Sequence, residues 1–230
     1  MTELILDGRK VPVKIRRNAN AGRMSLRINE QDGSIILTLP SHMAAARGLD
    51  FAMSKADWLT ERLDALPDGM PFKDGAILPL LGVPHRLRHD PLGRQGVWLA
   101  DREIHVAGRP EHFERRLTDW LKREARKEIT ALALPMAASI GKSPGSVRLK
   151  DTRSRWGSCS ARGDLAFSWR LVLAPAHVLA YVVAHEVAHL AQMNHSPAFW
   201  RVVDELIPDA GGARAWLKRN GTQLHRYGRS

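Results

Sequence analysis

The sequence predicts an α+β protein, in which a β-rich N-terminal part precedes a domain with a short antiparallel sheet and one buried helix. Short segments of alternating apolar and polar residues recur up to residue 108, as is typical of half-buried strands. Beyond it, residues 110–134 show the apolar spacing of a long amphipathic helix, and residues 176–190 are apolar almost throughout. We therefore expect two domains, residues 1–108 and residues 109–230.

The N-terminal part contains a strong hairpin signal. "MSLRIN" (24–29) and "SIILTLP" (34–40) are separated by a polar turn that ends in Gly33. "VPVKIRR" (11–17) alternates in the same way, and we expect it to join the same sheet. A helix with apolar residues at Phe51, Trp58 and Leu63 follows.

The C-terminal part begins with the long helix, which Pro135 is expected to end or kink. "SVRLKD", "SRWGSCS" and "LAFSWRLVL" then indicate strands, and the last has apolar side chains at alternate positions. Pro175 suits the first turn of the apolar helix that comes next. These strands and this helix are predicted to pack together around the chemically distinctive part of the chain.

That part is "VVAHEVAHLAQMNHSPAFW" (182–200), which contains the pattern H-E-x-x-H. On a helix, His185 and His189 lie one turn apart on the same face, where both imidazoles can bind one metal ion. Glu186 lies beside the first histidine and can act on a zinc-activated water without binding the metal itself. Because the helix must be buried, these polar groups are costly unless they are paired or bound to metal.

A catalytic zinc ion usually has three protein ligands, so a third is needed. His195 is the main candidate, provided that the chain turns after the helix. Asn194 is expected to adopt a left-handed conformation there, with Ser196 and Pro197 starting a new helix. Asp204 and Glu205 on that helix are the alternatives, while His177 and His225 are weaker candidates.

Two arginines precede the metal-binding motif. Arg153 and Arg155 are two residues apart and would share one face if "SRWGSCS" formed a strand. They could hold a substrate phosphate or carboxylate, or they could pair within the fold. Gly157 indicates close approach of another part of the chain, and Cys159 is expected to be a small buried residue rather than a ligand.

The composition limits the environment and partners of the protein. One cysteine rules out an intrachain disulfide framework, and the sequence lacks a signal-peptide pattern and any apolar run that could span a membrane. We therefore expect a cytoplasmic, soluble protein. Lysine and arginine total 35 against 24 acidic residues, a net charge of +11. This excess favours nucleotides, nucleic acid or other polyanions, although it names no substrate.

The motif and its flanks, "SRWGSCSARGDLAFSWRLVLAP" and "HEVAHLAQMNHSPAFW", resemble the YgjP-like metallopeptidase family. This family is of the zincin type and is distantly similar to the SprT-like proteases. The resemblance implies a zincin-like domain holding one zinc ion on His185, His189 and His195, with Glu186 as the catalytic residue. The implied activity is hydrolysis of peptide bonds in a polypeptide substrate.

Two other functions stay open. A nucleotide pyrophosphatase activity on UTP has been attributed to a member of the family, and the arginines and the net charge favour it. The third hypothesis is a protease of the SprT-like type that associates with nucleic acid. The predicted metal site cannot discriminate between these functions, because a metal-activated water can attack a carbonyl carbon or a phosphorus atom.

Overall fold

The computed structural model describes residues 2–29, 32–65, 69–152, 154–208 and 210–228. These residues form an α+β protein whose compact units divide between Gly69 and Met70. We refer to them as the N-terminal unit and the C-terminal unit. No helix in the described ranges combines the length and the apolar character that crossing a membrane would require.

The N-terminal unit contains one four-stranded sheet. Its strands are β1 (Thr2–Leu6), β2 (Arg9–Asn18), β3 (Ser25–Ile28) and β4 (Ile35–Pro40), in the order β1-β2-β4-β3. Strands β3 and β4 form the predicted antiparallel hairpin, and β2 lies parallel to β4. The first two residues of the predicted turn, 30 and 31, lie outside the described residues.

Two helices, α1 (Ala45–Met53) and α2 (Ala56–Asp64), replace the single helix expected after the sheet. Alternate sheet residues, including Ile35, Leu37 and Leu39, form a core with Ala52 and Leu59. The alternation of apolar residues along the strands therefore determined which face of the sheet is buried, as the sequence predicted.

The C-terminal unit begins with a second sheet, which the sequence analysis had assigned to the N-terminal domain. Its strands are β5 (Ile77–Leu80), β6 (Val83–Asp90), β7 (Val97–Ala100) and β8 (Glu103–Ala107), in the order β5-β6-β8-β7. The division at Gly69 thus differs from the expected boundary at Gly108. The physical reason is a shared core, because Leu87 and Ile104 of this sheet pack in one cluster with Leu117 of the next helix.

That helix, α3 (Phe113–Ser139), buries one apolar stripe and is longer than expected. The stripe consists of Phe113, Leu117, Trp120, Leu121, Ala125, Ile129, Ala133 and Ala137. Pro135 lies inside the helix and does not end it.

The third sheet lies beside the metal-binding motif. It consists of β9 (Ser146–Lys150), β10 (Gly157–Cys159) and β11 (Asp164–Ser168), in the order β10-β11-β9. Strand β10 runs antiparallel to β11, whereas β9 runs parallel to it, so the expected antiparallel sheet is mixed. The predicted strand 165–173 ends at Ser168, because residues Trp169–Leu173 form a buried 3-10 helix capped by the Ser168 hydroxyl.

Three helices complete the C-terminal unit: α4 (Ala176–Ala188), α5 (Pro197–Leu206) and α6 (Ala210–Asn220). A 3-10 helix, Gly221–Arg226, follows α6. Helix α4 is buried along most of its length, as predicted. This burial places the two histidines and the glutamate of the motif against the third sheet and the following helices.

Candidate metal centre

Helix α4 positions the first three polar residues of the motif. His185 and Glu186 lie in its last turn, and the helix ends at Ala188, so His189 is the first residue beyond it. His185 and His189 are half-buried, and their ring centroids are 5.1 Å apart. The one-turn spacing predicted from the sequence therefore brings the two imidazoles together.

The chain turns after α4 and brings His195 back to the same point. Its Nε2 atom lies 3.1 Å from Nε2 of His185. Ser196 and Pro197 start helix α5 as predicted, but Asn194 does not adopt the expected left-handed conformation. Its side-chain Oδ1 instead accepts a hydrogen bond from the Ser196 backbone N–H at 3.3 Å, which stabilises the turn locally.

The three histidines together fit a metal ion. One ring nitrogen from each lies within 4.8 Å of the others. Tetrahedral zinc with Zn–N bonds of about 2.0–2.1 Å separates its ligand nitrogens by roughly 3.3 Å, close to the 3.1 Å between the Nε2 atoms of His185 and His195. The wider separations in the cluster, up to 4.8 Å, would shorten for all three nitrogens to bind one ion.

The protonation states also suit metal binding. Nδ1 of His189 is 3.0 Å from the Gln192 carbonyl oxygen, which can only accept, so Nδ1 carries the proton and Nε2 keeps its lone pair. Burial, together with the neighbouring histidines and Arg214, lowers the pKa of His185 to about 4. Burial also lowers the pKa of His189, so both imidazoles are neutral at pH 7 and able to donate electron pairs to a metal.

An aromatic side chain holds the histidine rings in place. Phe199 is fully buried, and its ring centroid lies 5.0, 4.5 and 4.7 Å from those of His185, His189 and His195. This role of Phe199 was not predicted from the sequence, although the residue lies on the apolar face of the predicted helix that follows the turn.

The alternative ligands lie elsewhere. Asp204 and Glu205 are exposed on α5, and His177 is exposed near the start of α4. His225 stacks on Trp156 with 5.0 Å between the ring centroids. Within the described part of the chain, none of these four joins the cluster of metal-ligating atoms.

Glu186 occupies a tight, buried position beside the histidines. It is 7% exposed, and burial raises its pKa to about 7, although Arg155 partly opposes this shift. A β-carbon built on Gly157 would lie 2.6 Å from Oε1 and 2.7 Å from Cδ of Glu186. The close approach expected at Gly157 is thus made by the Glu186 carboxyl group, for which a side chain at position 157 would leave no space.

The chain that carries these three imidazoles and the buried carboxyl group is similar to a known protein family over most of its length. Residues 22–220 match the family described as "YgjP-like, metallopeptidase domain". The chain belongs to this family. No curated protein is significantly similar to it in sequence. Among solved structures, the crystal structure of the metallopeptidase zymogen of Pyrococcus abyssi abylysin is 23% identical, covering 43% of this chain and 97% of that one with a TM-score of 0.37.

As a YgjP-like metallopeptidase, the chain should offer a cleft for substrate beside the histidines, and it does. A cavity of about 470 Å³ is lined by the three histidines, Glu186 and all of strand β10. Apolar side chains that the sequence analysis did not identify form another part of its wall; they are Tyr181, Val182, Met193 and Leu217. Tyr181 precedes His185 by one helical turn, so the spacing on α4 was a signal that could have identified it.

Of the two arginines proposed for substrate binding, the structure of this YgjP-like chain describes one, Arg155. Arg155 is exposed and lines the cavity, but it precedes β10, which begins at Gly157. Arg155 therefore does not present a strand face as predicted, because residues 154–156 do not form a strand. Arg153 lies outside the described residues.

Cys159 lines the same cavity at the end of β10. It is half-buried, and burial, with Glu186 and Asp164, raises the pKa of its thiol. A protonated thiol is a poor metal ligand, and Cys159 is not part of the histidine cluster. The expectation that it is not a ligand agrees with this geometry.

Proposed function

We propose that this member of the YgjP-like family is a zinc-dependent peptidase that uses His185, His189 and His195 to hold one zinc ion per chain. The observation that carries the proposal is the meeting of three imidazoles beside one buried carboxyl group in a single cavity. Imidazole is a preferred ligand of zinc, and three histidines leave a coordination position open for catalysis.

These histidines would hold a zinc ion, which would supply a water of lowered pKa and polarisation of a carbonyl oxygen. Glu186 is the general base in this proposal: its carboxylate accepts a proton from the attacking water and delivers it to the nitrogen of the leaving amine. Burial of Glu186 supports this role, because a raised pKa brings the carboxyl group close to the value at which it can both accept and release a proton near pH 7.

The position of strand β10 supports an extended polypeptide as the substrate. This strand is at the edge of its sheet and pairs with β11 on one side, while its three residues line the cavity. A polypeptide could add to such an edge through main-chain hydrogen bonds, which place a peptide bond near the histidines irrespective of its side chains. A cytoplasmic location stays a prediction.

Arg155 favours one alternative, hydrolysis of a nucleoside triphosphate such as UTP. Arg155 lines the cavity, and its guanidinium group could bind a phosphate at two oxygens. The same group could equally hold the carboxylate of a peptide or a carbonyl oxygen of the scissile bond. Association with nucleic acid, as in the SprT-like hypothesis, is compatible with the charge of the chain but has no particular support from this cavity.

The test compares wild type with Glu186→Gln on a peptide library and a panel of nucleoside triphosphates, each with and without a chelator. The amide keeps the shape of the carboxyl group and removes its basicity, so metal content should stay near one per chain. Activity should fall by about 10²- to 10⁴-fold, the usual contribution of a general base. Glu205→Gln, the same change at an exposed site on α5, is the matched control and should remain active.

Cleavage of peptides that is lost with chelator and with Glu186→Gln supports the proposal. Cleavage of nucleoside triphosphates alone would replace the peptidase by the pyrophosphatase. A Glu186→Gln variant as active as wild type on the cleaved substrate would show that the carboxylate is not the base.

A further inference from the structure

A second cleft lies on the C-terminal unit between helix α3 and strand β9. It has a volume of about 580 Å³ and shares no lining residue with the cavity at the histidines. Leu149 and the buried ring of Trp169 contribute apolar surface to it. Since Arg170 stacks on Trp169 at 4.5 Å from the ring centroid, this part of the wall is firmly held.

Four basic side chains line this cleft. Lys122, Arg123 and Arg126 come from two successive turns of α3, and Lys150 comes from the end of β9. All four are exposed. Residues three or four apart on a helix are neighbours on its surface, so the three cations of α3 repel one another. The approach of Lys150 from the facing strand adds a fourth positive charge to the same space.

The carboxylates of the cleft do not balance these charges, because each is already paired with a different arginine. Asp119 lies 3.6 Å from Arg115. Asp151 accepts a hydrogen bond of 2.8 Å from Arg170. In the ranges that the structure describes, none of the four cleft cations forms an ion pair with a carboxylate.

One of the four is also held in position. Arg126 donates a hydrogen bond to the backbone carbonyl of Val147 on β9 at 3.4 Å, across the cleft. Its guanidinium group has five N–H donors, so this bond leaves others available. The cleft therefore contains a surplus of positive charge, at least one positioned guanidinium group and a rigid aromatic wall.

We propose that this cleft binds a phosphate-bearing ligand, in addition to the metal site. A phosphate group offers several anionic oxygens arranged around one centre, so it can accept from side chains on both walls at once. A carboxylate presents only two oxygens in one plane and would leave more of the four cations without an acceptor. The phosphate could belong to a free anion or to the backbone of a nucleic acid, which share the same chemistry.

The test measures binding of two probes to the full-length protein. Inorganic phosphate is titrated by calorimetry, and a fluorescently labelled single-stranded oligonucleotide is titrated by anisotropy at several salt concentrations. Lys122→Gln/Arg123→Gln removes two cations from α3, and Lys150→Gln removes the one from β9. The matched control, Lys73→Gln/Arg94→Gln, removes a lysine and an arginine from exposed positions outside the cleft.

Wild type should bind at least one probe, and the α3 double variant should weaken this binding by about tenfold or more. Lys150→Gln should also weaken binding, whereas the control should differ from wild type by less than about threefold. If the oligonucleotide is bound, the logarithm of its binding constant should fall with the logarithm of the salt concentration. The magnitude of this slope should be smaller by about 1.4 for the double variant, because each of the two lost phosphate contacts contributes roughly 0.7. If the cleft variants weaken binding of inorganic phosphate, the ligand is a small phosphate-bearing anion. If they weaken binding of the oligonucleotide alone, the ligand is a nucleic-acid backbone.

Three results would overturn the proposal. The first is that wild type binds neither probe. The second is that the control weakens binding as much as the double variant, because the effect would then reflect net charge alone. The third is that Lys150→Gln binds like wild type, because the two walls would then not form one site.

Discussion

Gly157 of strand β10 lies directly against the carboxyl group of Glu186, so closely that a β-carbon at position 157 would be 2.6 Å from Oε1. The φ angle of Gly157 is not in the left-handed region, so the backbone conformation itself does not require glycine. The requirement comes from space. The position of the proposed general base is therefore set by a residue on a different element of the fold.

Gly157→Ala should displace Glu186 and reduce hydrolysis without removing the metal. A misplacement of about 1 Å can cost roughly 10²-fold in rate, and we expect a loss of at least that size in kcat. The three atoms nearest to this β-carbon all belong to Glu186 rather than to a histidine, so metal content should stay near that of wild type. The measurements are kcat on the best substrate and metal per chain.

Gly212→Ala is the control for this change. A β-carbon at Gly212, on α6, meets nothing within 4 Å, so the variant should be as active as wild type. Full activity of Gly157→Ala would mean that Glu186 can move without consequence and that Gly157 does not position it.

His195→Ala should sharply weaken metal retention. Its Nε2 atom is 3.1 Å from that of His185, and removal of this imidazole leaves two ligands where zinc prefers at least three from the protein. Mutation of a residue that only hydrogen-bonds to a metal ligand typically lowers metal affinity by about 10- to 100-fold. Removal of the ligand itself should therefore lower the affinity by more than this. A competition titration with a chelator of known affinity measures it.

Glu205→Ala provides the comparison, because Glu205 was the alternative third ligand and is exposed on α5. It should retain metal like wild type. The opposite pattern, in which Glu205→Ala loses the metal and His195→Ala keeps it, would reassign the third ligand.

Arg155→Ala should impair turnover with little effect on thermal stability. The side chain is exposed and lines the cavity, so its removal leaves the core intact. A hydrogen bond to a charged group is worth about 1.5–3 kcal/mol, which corresponds to a loss of about tenfold or more in kcat/KM. Arg162→Ala, at an exposed arginine in the turn after β10, should leave kcat/KM unchanged. A large fall in melting temperature at unchanged kcat/KM would instead assign Arg155 a role in the fold.

Asp151→Asn should lower the stability of the folded protein at neutral pH, and this difference from wild type should disappear in acid. Burial alone would raise the pKa of Asp151, but hydrogen bonds and charge attraction from Arg170 hold it below its ordinary value. A carboxyl group whose pKa is lowered on folding stabilises the folded state above the unfolded value of 3.8, and this contribution disappears as the pH falls through the folded value. Because the side chain is 39% exposed, we expect a modest cost of about 1 kcal/mol at pH 7.

Melting temperatures of wild type and Asp151→Asn at pH 7 and in steps below pH 3.8 give the measurement. The difference should narrow as the pH falls. Asp119→Asn is the control, because its pair with Arg115 is exposed and 3.6 Å apart and should contribute little. A difference between wild type and Asp151→Asn that does not change with pH would mean that the ionised carboxylate is not the stabilising group.

The sequence by itself determined what depends on nearby residues along the chain. Helical periodicity placed His185 and His189 one turn apart, and the alternation of apolar residues determined the buried face of the N-terminal sheet. The Ser196-Pro197 signal correctly predicted where α5 begins. These features follow from backbone geometry and side-chain spacing, which are legible in a single stretch of sequence.

Only the tertiary structure decided which distant segments meet. The sequence predicted that Gly157 is approached closely, but the identity of the approaching group, Glu186, depends on how β10 packs on α4. The assignment of strands β5–β8 to the C-terminal unit followed from apolar side chains that share a core with α3. Arg155 lies outside the strand predicted for it, because pairing with β11 begins only at Gly157. Strand pairing is a contact between distant segments, which the local periodicity of a sequence does not encode.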